Sequence, residues 1–535
     1  MNDLIHALPA QAALESNAPF VDLHSQLSAV CTADADRIAV IDEDGAWTRR
    51  ELLALANRVA NRLVAAGLDK GATVAMLGRN SRPYVAVMVG VLAAGGCIVP
   101  LSGMASTETL ALMVEDCGAL FCFAEPNGRD LLDAALGSTG NKELHRILLE
   151  GDAPGWHGLP TWLGDTPDSP PGVRIEPDDL FNIIYSSGTT GIPKGIVQDH
   201  QTRFRNMERY RTLGFSGEAV TLVATPLYSN TTMVAVLPTL AFGGLLVMLG
   251  KFDAGRYLEL AERHRVTHTM LVPIQYQRLL DEPGFDRRDL SSFQIKLSAG
   301  APLRAKVIAE LMARWPGRLL EVYGMTEGGV SATLDCVAYP DKWDSVGRPS
   351  AGCSLLLIDE SGKPVRQGEV GEVVGRSTGM MRGYHNRPEA SEALLWRDED
   401  GTVYFRSGDI GRFDEDGFLY LLDRRKDMIL SGGFNVYAED LERVLLEHPQ
   451  VVDAAVIAVP SERWGETPLG LVITAAGEAV TCEELLAWAN HRLGKTQRLS
   501  RVEIRTELSR NPAGKLLKAQ LRAPYWVDAE RARPT

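Results

Sequence analysis

The stretch Tyr185-Ser186-Ser187-Gly188-Thr189-Thr190-Gly191-Ile192-Pro193-Lys194-Gly195 decides the fold of this chain, and it follows an apolar run, 180–185, whose length predicts a buried strand. Gly188, Gly191 and Gly195 permit positive φ and close backbone approach, while the hydroxyls of Ser186, Ser187, Thr189 and Thr190 add donors. Lys194 adds a charge that persists at neutral pH. Phosphate oxygens suit such a cradle. It is not the G-x-x-x-x-G-K-[ST] loop, in which the lysine opens a helix. Here Pro193 stands before the lysine and Gly195 after it, so a helix starting at Lys194 is not expected. Composition alone fits a plain Ser/Gly/Thr surface turn as well; the neighbouring segments decide.

Upstream and downstream of the loop, two uncharged runs, 84–101 and 232–250, are about as long as a membrane span. Both have the same grammar: an apolar helical segment, a Gly-Gly pair (Gly95-Gly96; Gly243-Gly244), then a short aliphatic strand. Each is preceded by another strand, 73–77 and 220–224. Glycine closing a helix before a buried strand is α/β punctuation, so two related β-α-β subdomains are expected, without stable membrane insertion. Before the first of them, residues up to 17 read as a loose arm, 36–42 as part of a small strand pair, and Thr48 with Glu51 as a capping box opening an amphipathic helix to Gly67. The Pro- and Gly-rich stretch 153–177 reads as a long surface connection. Beyond the loop, 201–212 carries Arg203, Arg205, Arg209 and Arg211, which reads first as a solvated helix face and second as part of a substrate mouth.

Two further strands end in small-residue turns, Ser298-Ala299-Gly300-Ala301-Pro302-Leu303 and Tyr323-Gly324-Met325-Thr326-Glu327-Gly328-Gly329. Ligands gather beyond the carboxyl ends of strands in open α/β sheets, so three turns after three strands point to one crevice. From 352 to 420 short strands with glycine turns predict a small β-rich subdomain, ending in the charge-dense Leu422-Asp423-Arg424-Arg425-Lys426-Asp427. The domain boundary is placed there, giving 1–425 and 426–535. The second part alternates helix and strand, with Thr481 and Glu484 as another capping box, and predicts a compact α+β domain.

A chain of 535 residues exceeds one core. Its 45% apolar and 23% charged content is that of an ordinary globular protein, and a net charge of -14 disfavours nucleic acid and anionic membrane surfaces as partners. Seven cysteines without a C-x-x-C pair fit free thiols in a reducing, cytoplasmic setting, with Cys117 and Cys122 as core residues. The ten histidines never fall into zinc-ligand spacing with cysteine. No export signal is read in residues 1–16.

Taken together, the phosphate loop, Tyr323-Gly324-Met325-Thr326-Glu327, Ser407-Gly408-Asp409 and Asn511-Pro512-Ala513-Gly514-Lys515, in this order, resemble the adenylate-forming superfamily of acyl-CoA synthetases, firefly-type luciferases and peptide-synthetase adenylation domains. The resemblance covers about 36–522. It implies a large N-terminal AMP- and acid-binding domain followed by a small mobile C-terminal lid. The implied reaction is that of an ATP-dependent acid-CoA ligase: a carboxylate and ATP give acyl-AMP and pyrophosphate, then coenzyme A displaces AMP. A stand-alone enzyme loading a carrier-protein thiol and a non-catalytic nucleotide-binding regulator are the alternatives, and retention of Lys194, Glu327, Asp409 and Lys515 together speaks against the regulator.

The same resemblance implies roles residue by residue. Ser186, Ser187, Gly188, Thr189, Thr190, Gly191 and Lys194 would hold the β- and γ-phosphates, Thr326 would donate to phosphate, and Glu327 would offer Mg²⁺ an oxygen. Tyr323, Gly324 and Met325 would face adenine from one side and Gly300, Ala301 and Pro302 from the other, with Asp409 on the ribose hydroxyls and Arg424 on ribose or phosphate. Lys515 would bridge carboxylate and α-phosphate in the first step. Lys426 would be the hinge of the domain alternation, Gly432 and Gly433 would border the pantetheine arm, and Trp464 would lie against the CoA adenine. Tyr228 and Ser229 would border the acyl pocket; Ser229 stands where many relatives have a gating histidine, and Gln497-Arg498-Leu499 replaces a common Lys-x-Pro. The acid is left open among aromatic, alicyclic and medium-chain types. The assembly is open too, with a homodimer among the states considered.

Overall fold

The computed structural model describes residues 18–139, 144–186, 193–424, 427–431, 434–461, 463–475, 480–494, 497–510 and 514–531. The chain packs as two units. The larger runs to Ser354 and takes in Gly375–Phe405; the smaller comprises Leu355–Val374 and the described residues from Arg406 on. The changes of unit fall inside the expected β-rich stretch, whose strands are Cys353–Ile358, Gly371–Ser377, Leu395–Arg397, Val403–Phe413 and Leu419–Arg424.

In the larger unit both β-α-β grammars are present. Thr73–Leu77, the helix Arg82–Ala93 and Cys97–Pro100 make one; Val220–Val223, Asn230–Ala241 and Leu245–Met248 make the other. In each, the two strands are parallel neighbours, Thr73 opposite Cys97 and Val220 opposite Leu245. The first belongs to an eight-stranded sheet and the second to a nine-stranded one. Their helices are apolar all round because each is buried all round, in one core that draws on both sheets. Every residue of Arg82–Ala93 from Tyr84 on is buried, each large aliphatic contributing about 1.5–3 kcal/mol. Gly90 lets the helix Arg49–Ala65 approach: a Cβ there would meet the Ala56 carbonyl oxygen at 2.6 Å. The capping box is formed, Thr48 accepting from Glu51 N while Glu51 accepts from Thr48 N at 2.7 Å.

Two expectations need correction. The stretch 153–177 is not wholly surface: it holds the short helix Leu159–Leu163, and Trp156 and Trp162 are buried, the latter under the Arg62 guanidinium. The arginine-rich segment forms the helix His200–Tyr210 and its continuation, with Arg205 and Arg211 exposed and Arg209 half-buried as a solvated face requires, but Arg203 is buried with Phe204 and does not belong to that face. The arm, residues 1–17, lies outside the described residues. Cys117 and Cys122 are core residues, and no helix among the described residues is long and apolar enough to cross a membrane.

In the smaller unit a five-stranded sheet is covered on both faces. Along Val451–Ser461 the side chains alternate: Ala454, Val456 and Ala458 pack with the helices Ala438–Leu446 and Cys482–Arg492, while Ala455, Ile457 and Val459 pack with Leu516, Leu521 and Tyr525. Period-two alternation with both faces apolar lets this strand, which pairs along one edge with Gly465–Thr474, be covered on both sides. The Thr481–Glu484 capping box is present.

Candidate active site

The strands that flank the candidate phosphate loop pair as an antiparallel hairpin. Leu180–Ser186 pairs with Lys194–Asp199, and Ser186 stands opposite Lys194. Ser187, Gly188, Thr189, Thr190 and Gly191 lie outside the described residues; Ser186 and Lys194, which flank them, are held by the ladder. No helix begins at Lys194, which starts a strand. The short strand Gly383–Tyr384 adds to the same edge, Tyr384 opposite Ile196.

That third strand brings the lysine to the Thr326-Glu327 turn. Lys194 Nζ lies 5.0 Å from the centre of the Tyr384 ring, and the Tyr384 hydroxyl donates to Glu327 Oε1 at 2.7 Å. Burial and the Glu327 charge both push the Tyr384 phenol up, so it remains a donor. The turn is fixed through its backbone: Gln198 Nε2 donates to the Thr326 carbonyl at 3.0 Å, and Met381 N to the Glu327 carbonyl at 2.8 Å. Gly328 has φ +82°, and a Cβ there would stand inside the Gly379 carbonyl oxygen, so only glycine fits. Ser377 Oγ donates to the Gly328 carbonyl. The adenine candidates share one sheet edge. Ile295–Ala299 and Arg318–Gly324 are parallel neighbours, so Gly300, Ala301 and Pro302 leave beside Tyr323, Gly324 and Met325. Leu303 N donates to the buried Glu321 Oε1 at 2.8 Å and pins the first turn to the second strand.

Tyr228 and Ser229 precede the helix Asn230–Ala241, where Ser229 is the N-cap but makes no side-chain capping bond. The Tyr228 hydroxyl is buried without a partner among the described residues. Beside this turn a buried polar relay runs back to the catalytic candidates: Arg203 donates to Asn230 Oδ1 at 2.9 Å and to Asn182 Oδ1 at 2.8 Å, Asn182 donates to Gln198 Oε1 at 3.3 Å, and Gln198 reaches the Thr326 carbonyl.

In the smaller unit Asp409 and Arg424 face each other across a hairpin, Arg424 Nε 3.3 Å from Asp409 Oδ1. Gly408, at φ +72°, turns the backbone so that Asp409 N donates to Ser407 Oγ at 3.0 Å, and Ser407 Oγ donates to the Val373 carbonyl at 2.8 Å. Lys515 follows Gly514, whose φ is +80° and whose carbonyl accepts from Arg510 at 2.6 Å. Arg510 also pairs with Asp453 at 2.6 Å and bridges Leu516 through the backbone, which clamps the segment carrying Lys515. Three residues on, Lys518 pairs with the Glu442 carboxylate at 2.9 Å. Trp464 is 47% exposed, with the Arg463 guanidinium 4.5 Å from its ring centre. Lys426, Gly432 and Gly433 lie outside the described residues.

Tyr384, Gln198, Ser377, Arg510 and Lys518 are absent from the sequence reading. Only the short separation of Arg510 from Gly514-Lys515 was a signal in the sequence; the others act across distances that no local pattern carries. For a divalent cation, the described residues contain no group of three or more His, Cys, Asp or Glu able to hold one. Glu327, with one oxygen held by Tyr384, fits an ion such as Mg²⁺ that takes one carboxylate and completes its shell with phosphate and water.

Comparison with known proteins bears on this arrangement. The sequence model described as AMP-binding enzyme matches residues 27–385, and that of the AMP-binding enzyme C-terminal domain matches 440–515. A feruloyl-CoA synthase of Amycolatopsis sp is 35% identical over 90% of this chain and 94% of its own length. A long-chain-fatty-acid–CoA ligase of Mycobacterium tuberculosis is 30% identical over 90% of this chain and 94% of its own. Among solved structures, the ATP-bound MatB of Rhodopseudomonas palustris superposes with a TM-score of 0.85 at 28% identity, covering 95% of this chain and 100% of that one.

Proposed function

The chain belongs to the AMP-binding enzyme family, and from that premise we propose how its residues divide the work of an ATP-dependent acid-CoA ligase. It is an AMP-forming acyl-CoA synthetase: a carboxylate oxygen bonds to the α-phosphorus of ATP as the bond to pyrophosphate breaks, then a CoA sulfur bonds to the acyl carbon as AMP leaves and the thiol proton passes to solvent. Two anions meet in the first step, so catalysis lies in neutralising charge that builds between them.

The observation that carries the assignment of roles is the series of contacts Lys194, Tyr384, Glu327, in which one tyrosine meets a cation at its ring and a carboxylate at its hydroxyl. Lys194 and the loop from Ser186 to Gly191 hold the β- and γ-phosphates, and Thr326 donates to phosphate. Glu327 holds Mg²⁺, which when bound supplies further charge neutralisation. Gly300, Ala301, Pro302, Tyr323, Gly324 and Met325 enclose adenine; Asp409, kept in place by Arg424 and Ser407, takes the ribose hydroxyls. Residues 1–425 bind ATP and the acid, and 426–535 form the lid that presents Lys515 in the first step and withdraws it for the second, turning at Lys426. Gly432, Gly433 and Trp464 serve CoA. The buried free thiols of Cys97, Cys117, Cys122, Cys336 and Cys353 suit a cytoplasmic setting.

Acid-dependent ATP–pyrophosphate exchange measures the first step, and CoA-dependent AMP release the second. Lys515→Ala is expected to lower exchange by about 10²–10³-fold, the usual loss when one preorganised charge stabiliser is removed, while acyl-AMP supplied ready-made is still converted to acyl-CoA. Undiminished exchange in Lys515→Ala overturns the role of the lysine; AMP release that ignores CoA overturns the ligase reading.

A further inference from the structure

Of the other cations shielded from solvent in the larger unit, Arg49 donates to the Val30, Asp34 and Gly243 carbonyls, although its Nε meets no acceptor among the described residues. Arg82 pairs with Asp42 at 2.7 Å, and Lys296 donates to the Trp315, Pro316 and Gly317 carbonyls at 2.8, 2.6 and 2.8 Å. Arg203 departs from both patterns. It is 1% exposed, no described carboxylate pairs with it, and the Phe181 ring lies 5.9 Å from its guanidinium carbon. Its Nε and one terminal nitrogen are taken by the amide oxygens of Asn182 and Asn230, whereas the other terminal nitrogen is buried with no partner among the described residues. Burial lowers its pKa to about 9, which still leaves it protonated at neutral pH. Two neutral amides orient the fork without cancelling its charge, so a charged donor is held ready and unspent.

Its position says what it is ready for. Asn230 follows Tyr228 and Ser229, and the Tyr228 hydroxyl is the second buried polar atom at this turn without a partner among the described residues. In the other direction the relay through Asn182 and Gln198 ends on the Thr326 carbonyl, so the guanidinium is braced against the turn that serves the reacting phosphates. Resting on the ligase reading above, we propose that Arg203 recognises a second, electron-rich oxygen on the carboxylic acid, carried at the end remote from the carboxylate that is activated. A remote carboxylate or phenolic oxygen would accept from the unpaired nitrogen; a purely apolar acid would leave that donor buried and unmatched, which a site built for a hydrogen bond rejects.

The test is acid-dependent ATP–pyrophosphate exchange on the full-length enzyme with two matched pairs: an α,ω-dicarboxylic acid against the monocarboxylic acid of equal length, and a 4-hydroxyaryl acid against its unsubstituted parent. The oxygen-bearing member of one pair is expected to have the higher kcat/KM by about 10- to 100-fold, and the pair that shows it identifies the oxygen. Arg203→Met should bring that ratio toward one, and Arg203→Lys, which keeps charge but loses the fork, should leave it between the two. A wild-type preference for the oxygen-free member in both pairs overturns the proposal whether or not the variants fold, as does a ratio that survives Arg203→Met. Absence of exchange with every acid removes the ligase reading itself and this inference with it, an outcome distinct from exchange without discrimination.

Discussion

Tyr384 shows how much a single hydroxyl can carry. Its ring faces Lys194 and its oxygen steadies Glu327, so Tyr384→Phe separates the two functions by keeping the ring and deleting the donor. A hydrogen bond to a charged group is worth about 1.5–3 kcal/mol, so kcat/KM for ATP in the exchange reaction should fall by about 10-fold or more with little change in thermal midpoint. An unaltered value would mean that Glu327 needs no support. His200 offers a test of a different kind. It is 2% exposed, neither ring nitrogen has a partner among the described residues, and the Phe181 ring lies 4.9 Å away. Burial lowers its pKa to about 4, against the opposing pull of Asp22, Asp179 and Asp199 and with a small contribution from Lys70. The unfolded chain therefore takes up a proton below about pH 6.5 that the folded chain refuses until about pH 4. The stability this group contributes is full above the first value and is lost as pH falls toward the second, about 3 kcal/mol in all. Denaturant midpoints of wild type and His200→Phe, compared from pH 4.5 to 7.5, should diverge in that window and run parallel above it.

At the scale of the element, the turn 325–329 is the least forgiving part of the site. Gly328→Ala would have to move either this turn or the turn at Gly379, because the φ of +82° and the Gly379 oxygen both refuse a side chain. The expected result is a destabilisation on the order of 2 kcal/mol and exchange activity reduced far more than the fold, read by thermal midpoint and exchange on the same sample. This turn, the strand that leads into the hydroxyl-rich loop and the Gly-Gly breaks were legible in the sequence because each is a local device whose residues are neighbours in the chain. So were the capping boxes at Thr48 and Thr481, whose partners stand three residues away. What was not legible depends on partners far along the chain. Arg203 looked like one charge in a basic helix because Asn182 and Asn230, which hold it, lie 21 and 27 residues distant. The helix Leu159–Leu163 was hidden in a Pro- and Gly-rich stretch because the burial of Trp162 depends on Phe121 and Phe123, strand residues far upstream. Tyr384 joined the site through strand pairing with Lys194–Asp199, and nothing in Met381-Arg382-Gly383-Tyr384 announces its partner.

Considered as a whole molecule, the chain has cores of its own in each unit, so its stability need not respond as one quantity. In the smaller unit Lys518 sits among Glu442, Asp423 and Asp427; burial works against its charge, but the carboxylates outweigh burial and hold its pKa above the ordinary lysine value. Asp423, which accepts from Arg424 N and Ala438 N at 2.7 Å each, is pushed up to about 6 by burial, with Lys518 the main opposing influence. A carboxyl raised in the fold favours the protonated folded state, so the stability it lends is full below about pH 4 and lost as pH rises through about 6. Lys518→Met removes the opposing cation and leaves the acids buried together, which typically costs about 3–5 kcal/mol. Two calorimetric transitions are expected for the wild type. In the variant only the one belonging to the smaller unit should move, and it should move further at pH 8 than at pH 5 because more of the stranded carboxylates must ionise. Since Lys518 anchors the segment that begins at Lys515, exchange should fall while ATP still binds, as titration calorimetry would show. A variant in which both transitions shift together, or in which ATP binding is lost along with exchange, would mean that Lys518 supports the molecule at large and not the delivery of Lys515.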